Sequence, residues 1–289
     1  MNVLVVGGDS MIGSALSTRL QAKGCRVFET TRRQQTISEN RLFLNLQTVP
    51  SDFAETFSHR GLNYVVLCAS ITSSADCEGN PSASREVNVT GNIAVGKQFL
   101  ALDTPVIFLS SSAIFNGMVE RPTPEESPSP CSEYGRQKLL VEQALLQASS
   151  KTCILRLTKV LGQGNKLLAH WVNELRSRNV ITPFMDASIA PIGLEYCSDV
   201  VFNIILNKRN GVFHAGPTHQ ITYVEAAQRI AEIIEAPIDL IAPTSGMAQN
   251  MKCTANAILG GVISCNELST PDPYTAIDDF LTLSGLHYA

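Results

Sequence analysis

Short continuous apolar runs alternate along the chain with longer stretches in which apolar residues recur every three or four positions. The runs are residues 3–6, 26–30, 41–46, 64–70, 106–109, 152–157 and 211–216. Continuous apolar character, rather than alternation, predicts strands buried on both faces, as in a parallel sheet. Between the runs, Ile12, Ala15, Leu16 and Leu20 repeat at helical spacing until Gly24. The same period predicts helices around Phe53 and Phe57, over about 83–102, from Tyr134 through Leu145, over 167–175 and over 223–234. Strand and helix in alternation predict an α/β chain: a doubly wound parallel sheet with helices on both faces.

The first junction in this pattern carries chemistry. Gly7-Gly8-Asp9-Ser10-Met11-Ile12-Gly13 follows the first strand directly and opens the first helix. That succession is the context a dinucleotide fingerprint needs, because glycines let backbone N–H groups approach a pyrophosphate and the helix N-terminus supplies partial positive charge. Gly7, Ser10, Met11, Ile12 and Gly13 are therefore candidate cofactor residues. Ser10 stands where a middle glycine is usual; its hydroxyl could bond a phosphate, or its side chain could crowd one. The second strand leads into Thr31-Arg32-Arg33, at the place where an acid holds the ribose hydroxyls of NAD or an arginine accepts the 2′-phosphate of NADP. Two guanidinium groups there favour NADP, and Glu29 keeps NAD as an alternative. Asn45 and Leu46 are expected beside an adenine, and the small Ala69 and Ser70 after the fourth strand let backbone come close to the cofactor.

The second junction is the end of the fifth strand, which delivers Ser110, Ser111 and Ser112 where ligands bind in open parallel sheets. A helix beginning at Tyr134 puts Lys138 one turn on, on the same face. A lysine beside a tyrosine favours the phenolate and lowers the phenol pKa, and the Ser111 hydroxyl would complete a proton donor for a carbonyl oxygen. The proline-rich loop 121–130 is expected to cover this region. Thr158 and Lys159 follow the sixth strand, where a nicotinamide end would be enclosed. Asn88 and Asn92, on one side of their helix, are expected to tie down backbone.

Composition narrows the reading. The 289 residues are 44% hydrophobic and 17% charged, a globular balance that excludes disorder for the whole chain. A net charge of -4 provides no basic field for nucleic acid or an anionic membrane. Eight cysteines without a Cys-x-x-Cys pair read as reduced thiols of a cytoplasmic protein. The five histidines lack metal-ligand spacing, so no metal site is expected. Met1-Asn2 runs straight into the first strand without a signal peptide, and no apolar run is long enough for a membrane span.

The glycine turn, Ser110-Ser111-Ser112, the Tyr134 to Lys138 spacing and Arg156 with Gly162 together resemble the extended short-chain dehydrogenase/reductase superfamily. Residues 108–117, with Phe115-Asn116-Gly117, are similar to its dTDP-4-dehydrorhamnose reductase branch. The resemblance implies an NAD(P)-binding Rossmann domain over 1–160. It also implies a smaller substrate lobe over 161–289, interleaved with a segment of about 196–235 that returns to the sheet. It implies Ser111, Tyr134 and Lys138 as a catalytic triad, with Tyr134 and Lys138 also touching the cofactor. The implied partner is a small nucleotide-sugar, a homodimer is left open, and Ser112, Ala113, Thr158 and Lys159 fall on the substrate side. The branch usually has Thr-Asp-Tyr where this chain has Ser111-Ser112-Ala113, and often Ser-Trp where it has Thr158-Lys159. Sugar-nucleotide dehydratases add an acidic pair after the serine, and epimerising reductases use a cysteine where Ala113 stands. Plain ketone reduction is the chemistry these residues leave intact. A non-catalytic NADP-binding regulatory subunit is the alternative. Trp171 is expected in a core, His214 and His219 in structural roles, and Lys252 is the main basic residue of 239–265 for a nucleotide diphosphate.

Overall fold

The computed structural model describes residues 1–246, 255–263 and 268–286. In chain order the first half contains β1 (Asn2–Val6), α1 (Met11–Ala22), β2 (Arg26–Thr31), β3 (Arg41–Phe43), β4 (Tyr64–Leu67), α2 (Ser74–Gly79), α3 (Pro81–Arg85), α4 (Asn92–Ala101), β5 (Val106–Ser111) and α5 (Glu133–Ala148). The second contains β6 (Thr152–Leu157), β7 (Lys159–Leu161), α6 (Lys166–Arg176), β8 (Ser188–Ile189), β9 (Pro191–Gly193), α7 (Leu194–Leu206), β10 (Gly211–Ala215), β11 (Ile221–Thr222), α8 (Tyr223–Ile233) and α9 (Pro273–Leu283).

Seven strands form one parallel sheet in the order β10-β6-β5-β4-β1-β2-β3. The chain winds outward from β1 to β3, returns to β4 on the other side of β1, and winds outward again to β10. The direction of winding therefore reverses between β1 and β4, and a doubly wound sheet opens its ligand crevice outside the strand ends at that point. Successive strand residues serve opposite faces. Val3 and Val5 pack with Leu16 and Leu20 of α1 and with Val200, Val201 and Ile204 of α7. Leu4 and Val6 pack with Phe57, with Val95 and Phe99 of α4, and with Val141 and Leu145 of α5. Each large side chain withdrawn from water contributes roughly 1.5–3 kcal/mol, so the two faces hold the strand ends rigidly in place.

A second core joins α6, α8 and α9 through Leu168, Trp171, Val172, Ala226, Ala227, Ile230, Ile277 and Phe280. Trp171 is buried there against Tyr223. The segment returning to the sheet differs from the expected 196–235: α7 and β10 join it, but α8 does not. The reason is its stripe of Ala226, Ala227, Ile230 and Ala231, which faces α6 and α9.

Four expected elements are shorter, divided or more tightly wound. The strand over 41–46 stops at Phe43, because Asn45 turns inward and caps a 3₁₀ turn by accepting from the Gln47 N–H. The strand over 64–70 stops at Leu67, and 53–60 is a 3₁₀ segment. The helix over 83–102 is α3 and α4 joined by a wide π-type turn at Glu86–Gly91. Asn88 lies in that turn and is 2% exposed; its side chain is spent on the loop after β4. Among the described residues, no helix is long and apolar enough to cross a membrane.

Candidate active site

Two adjoining cavities lie at the carboxyl ends of the strands. The first, of about 270 Å³, opens at the reversal point and is lined by Gly7, Ser10, Thr31, Arg32, Arg33, Asn45, Leu46, Ala69 and Ser70. All nine were expected from sequence to face a cofactor. Gly13 lies just behind: a Cβ there would stand 2.1 Å from the Gly7 carbonyl oxygen, so only glycine lets α1 begin this close to the turn. The Ser10 hydroxyl serves the backbone of the turn. It donates to the Gly7 carbonyl at 2.7 Å and accepts from the Gly13 N–H at 3.0 Å, capping α1. Ser14 is the first residue to bond back along the helix, which leaves the amides of Met11 and Ile12 without an intrahelical acceptor. Asn92 donates to the Ala69 carbonyl, and Asn88 holds both the N–H and the carbonyl of Ile71, so the β4 edge of the cavity is pinned. A narrow cleft with a helix N-terminus, small residues on one side and two arginines at its mouth fits an adenine dinucleotide.

The Glu29 alternative does not reach this cavity. β2 runs one residue further than expected, and Glu29 packs under Gly8 with its carboxylate on Arg41, 3.3 Å away. The residue that does reach it is Asp9, which sequence reasoning passed over together with Arg41. Asp9 lines the cavity and accepts from the Thr31 hydroxyl at 2.7 Å, the Arg32 N–H at 3.2 Å and Arg41 at 2.5 Å. The signal was an acid inside a glycine turn, where uncharged residues would leave the phosphates unopposed.

The second cavity, of about 680 Å³, is lined by Met11, Ile12, Ser111, Ser112, Ala113, Tyr134, Thr158 and Lys159, with Gln163, Asn165 and Lys166 on its outer side. α5 starts at Glu133 with Ser132 as its cap, and Tyr134 and Lys138 occupy one face as expected. Ser111 and Tyr134 line the same cavity, and the Ser111 hydroxyl favours the ionised form of the phenol. The Lys138 ammonium lies over the Tyr134 ring, 5.6 Å from its centre, and donates to the Leu109 carbonyl at 2.9 Å. A Cβ on Gly135 would fall 2.0 Å from the Ala113 carbonyl oxygen, so glycine lets α5 abut the turn that follows β5.

Electrostatics here differ from the expectation. Burial pushes the Tyr134 phenol above its ordinary range, and the Ser111 hydroxyl only partly opposes it. Burial also lowers Lys138 to about 8. The phenol is thus held protonated, a state suited to giving a proton rather than taking one. Lys159, exposed at the cavity wall, has no carboxylate beside it in the lining.

Two buried networks brace the site. Glu133, next to Tyr134, is held at about 2 by Arg85, against the effect of burial and with help from Gln137 and Arg136. Gln137 in turn accepts from Asn88 at 2.8 Å, linking α5 to the loop after β4. Behind Ser111, Glu142 accepts from the Ser110 hydroxyl and from Arg156, whose remaining nitrogen reaches the Pro124 carbonyl at 3.1 Å and the His214 ring at 3.3 Å. His214 is held within this buried network, and the Arg156 contact ties the loop 121–130 to it. Lys252 lies outside the described residues.

Comparison with known proteins matches residues 1–261 to the family described as RmlD substrate binding domain. The chain is 23% identical to a probable low-salt glycan biosynthesis reductase, Agl14, of Haloferax volcanii, over 96% of this chain and 97% of that one. It is 25% identical to a dTDP-4-dehydrorhamnose reductase of Mycolicibacterium smegmatis, over 83% and 72%. It is 24% identical to the methionine adenosyltransferase 2 subunit beta of Rattus norvegicus, over 83% and 74%. Among solved structures, a dTDP-4-dehydrorhamnose reductase from Bacillus anthracis in complex with NADP superposes with a TM-score of 0.85 at 16% identity, covering 97% of this chain and 98% of that one. That likeness shows a shared Rossmann-like fold.

Proposed function

The chain belongs to the RmlD substrate binding domain family, and from that premise we propose that it is an NAD(P)-dependent reductase of a nucleotide-linked 4-keto-sugar. The observation that carries the reading is that Ser111 and Tyr134 line one cavity with the Lys138 ammonium packed against the Tyr134 ring, beside a second cavity that fits a dinucleotide. Gly7, Met11, Ile12, Asn45, Leu46, Ala69 and Ser70 would hold the cofactor, with Arg32 and Arg33 inclining the site to NADP. The bound nicotinamide supplies the hydride. Ser111 orients the substrate carbonyl by hydrogen bonding, and Tyr134, kept protonated by burial, gives its proton to the oxygen as charge develops there. Lys138 is fixed by the Leu109 carbonyl against the Tyr134 ring, where its ammonium would stabilise the tyrosinate left behind and would help to hold the cofactor. Ser112 and Ala113 offer no group to abstract a carbon-bound proton, so elimination and epimerisation are disfavoured. Ser112, Ala113, Thr158 and Lys159 would face the sugar. The relative from Mycolicibacterium smegmatis supports a nucleotide-sugar substrate. The free cysteines among the described residues support a cytoplasmic setting, with a homodimer as the assembly to examine by light scattering.

A second reading is a non-catalytic NADP-binding regulatory subunit, favoured by the 24% identity to the methionine adenosyltransferase subunit. The intact Ser111, Tyr134 and Lys138 weigh against it. Incubating the protein with NADPH or NADH and a panel of 4-keto-sugar nucleotides, and following nicotinamide absorbance, tests the choice. Turnover supports the reductase. Dinucleotide binding without turnover on any of the panel, together with a stable complex with a second enzyme, would favour the subunit.

A further inference from the structure

The mouth of the cofactor cavity is more elaborately charged than two arginines at a strand end. Asp9 sits in its wall with its side chain 22% exposed. One carboxylate oxygen accepts from the Thr31 hydroxyl at 2.7 Å and from the Arg32 N–H at 3.2 Å. The other accepts from Arg41 at 2.5 Å and lies 3.9 Å from Arg33. The Thr31 hydroxyl also accepts the Arg33 N–H at 2.9 Å, so its donor and its principal acceptor capacity are both engaged. Arg41 is shared with Glu29 at 3.3 Å, so two carboxylates neutralise one guanidinium.

The Thr31 hydroxyl, the Arg32 N–H and Arg41 are therefore already taken, and a carboxylate holds them. A ribose 2′-hydroxyl is neutral and can join such a site without charge repulsion. A 2′-phosphate brings about two negative charges and three strong acceptors. It would compete with Asp9 for the Thr31 hydroxyl, the Arg32 N–H and Arg41, and would stand beside a like charge.

Resting on the dinucleotide reading above, we propose that Asp9 sets the cofactor preference of this protein by opposing a 2′-phosphate at the end of β2. The chain then accepts NADH alongside NADPH in spite of Arg32 and Arg33. Removing the charge of Asp9 frees Arg41 and the strand-end donors for the phosphate and shifts the preference to NADPH. Asp9 is a specificity residue in this account. It touches neither the transferred hydride nor the carbonyl.

The test is direct binding of NADPH and NADH, by titration calorimetry, to the wild-type protein and to Asp9→Asn and Asp9→Ser, each checked for cooperative thermal unfolding. A unit charge acting on a phosphate dianion across a few ångströms of partly screened medium changes affinity on the order of tenfold. Asp9→Asn should tighten NADPH by about that factor, with NADH changed less than about threefold, and the gain should shrink as salt rises. Asp9→Ser, which keeps a small hydrogen-bonding group, should move the ratio the same way. NADPH affinity that is unchanged or weakened in both variants overturns the proposal, because Asp9 would then be positioning the arginines for the phosphate. If the wild-type protein binds neither dinucleotide, the cofactor reading itself falls and this inference with it. Binding of both with an unmoved ratio overturns the role of Asp9 alone.

Discussion

Replacing Glu142 by alanine removes the centre of the polar network behind the candidate triad. Glu142 and Arg156 have side chains 2% and 5% exposed, and the carboxylate takes three contacts from the guanidinium within 3.2 Å as well as the Ser110 hydroxyl. Removing one partner of such a pair leaves a buried, uncompensated charge, which costs about 3–5 kcal/mol. That is a large part of a typical domain stability of about 5–15 kcal/mol. With a urea m-value of about 3 kcal/mol/M, the unfolding midpoint should fall by roughly 1–1.7 M. The double variant Glu142→Leu with Arg156→Met removes both charges and refills much of the space. It should therefore be more stable than Glu142→Ala alone, although the Ser110 hydroxyl and the Pro124 carbonyl lose a partner. Urea unfolding followed by far-UV circular dichroism reads both. A cost under about 1 kcal/mol for Glu142→Ala, or a double variant as unstable as the sum of its single losses, would refute the view that this pair is a coupled, desolvated brace.

Gly135→Ala should drive α5 from the turn at Ala113, costing about 1–3 kcal/mol and most of the turnover. Gly79→Ala, where an added Cβ meets nothing within 4 Å, is the silent control, and thermal melts of both variants make the comparison. His214 is fully buried, and burial, then the neighbouring Arg156, depress it from 6.5 to about 4 against the opposing pull of Gly260, Glu125 and Pro122. The unfolded chain binds a proton between those two pKa values where the folded chain does not, so stability falls as pH drops through that window. The loss between pH 7 and pH 5 is about 2 kcal/mol, and His214→Gln should flatten it in urea titrations at the two pH values. Ser111→Ala should lower turnover more than tenfold while leaving NADPH affinity within about threefold, as measured by calorimetry beside the kinetic assay.

The parallel sheet and its glycine turn were legible because both rest on local rules. A run such as 3–6 has no polar face to expose, and Gly13 has no room for a side chain. Ser111, Tyr134 and Lys138 were legible for the same reason, since a strand end and a helical spacing fix where they point. What escaped were properties set by long-range neighbours. Asp9 and Arg41 lie 32 residues apart and meet only because β2 and β3 pair. The Tyr134 phenol rises rather than falls because burial outweighs the opposing influence of Ser111, and burial is a tertiary quantity. The helix over 223–234 has the same amphipathic period whether it covers the sheet or the second core. Only the alanine stripe, Ala226, Ala227 and Ala231, distinguishes a tight helix-on-helix contact, and reading it requires knowing its partners.

The central claim is that Tyr134 gives a proton to a sugar carbonyl beside a bound nicotinamide. Tyr134→Phe removes one hydroxyl and keeps the ring packed over Lys138, so the most direct measurement is its turnover of NADPH with a 4-keto-sugar nucleotide that the wild-type protein reduces. Turnover reduced by about 10²–10⁴-fold, with NADPH affinity unchanged in the same preparation, is the predicted result. Turnover within a few-fold of wild type would contradict it.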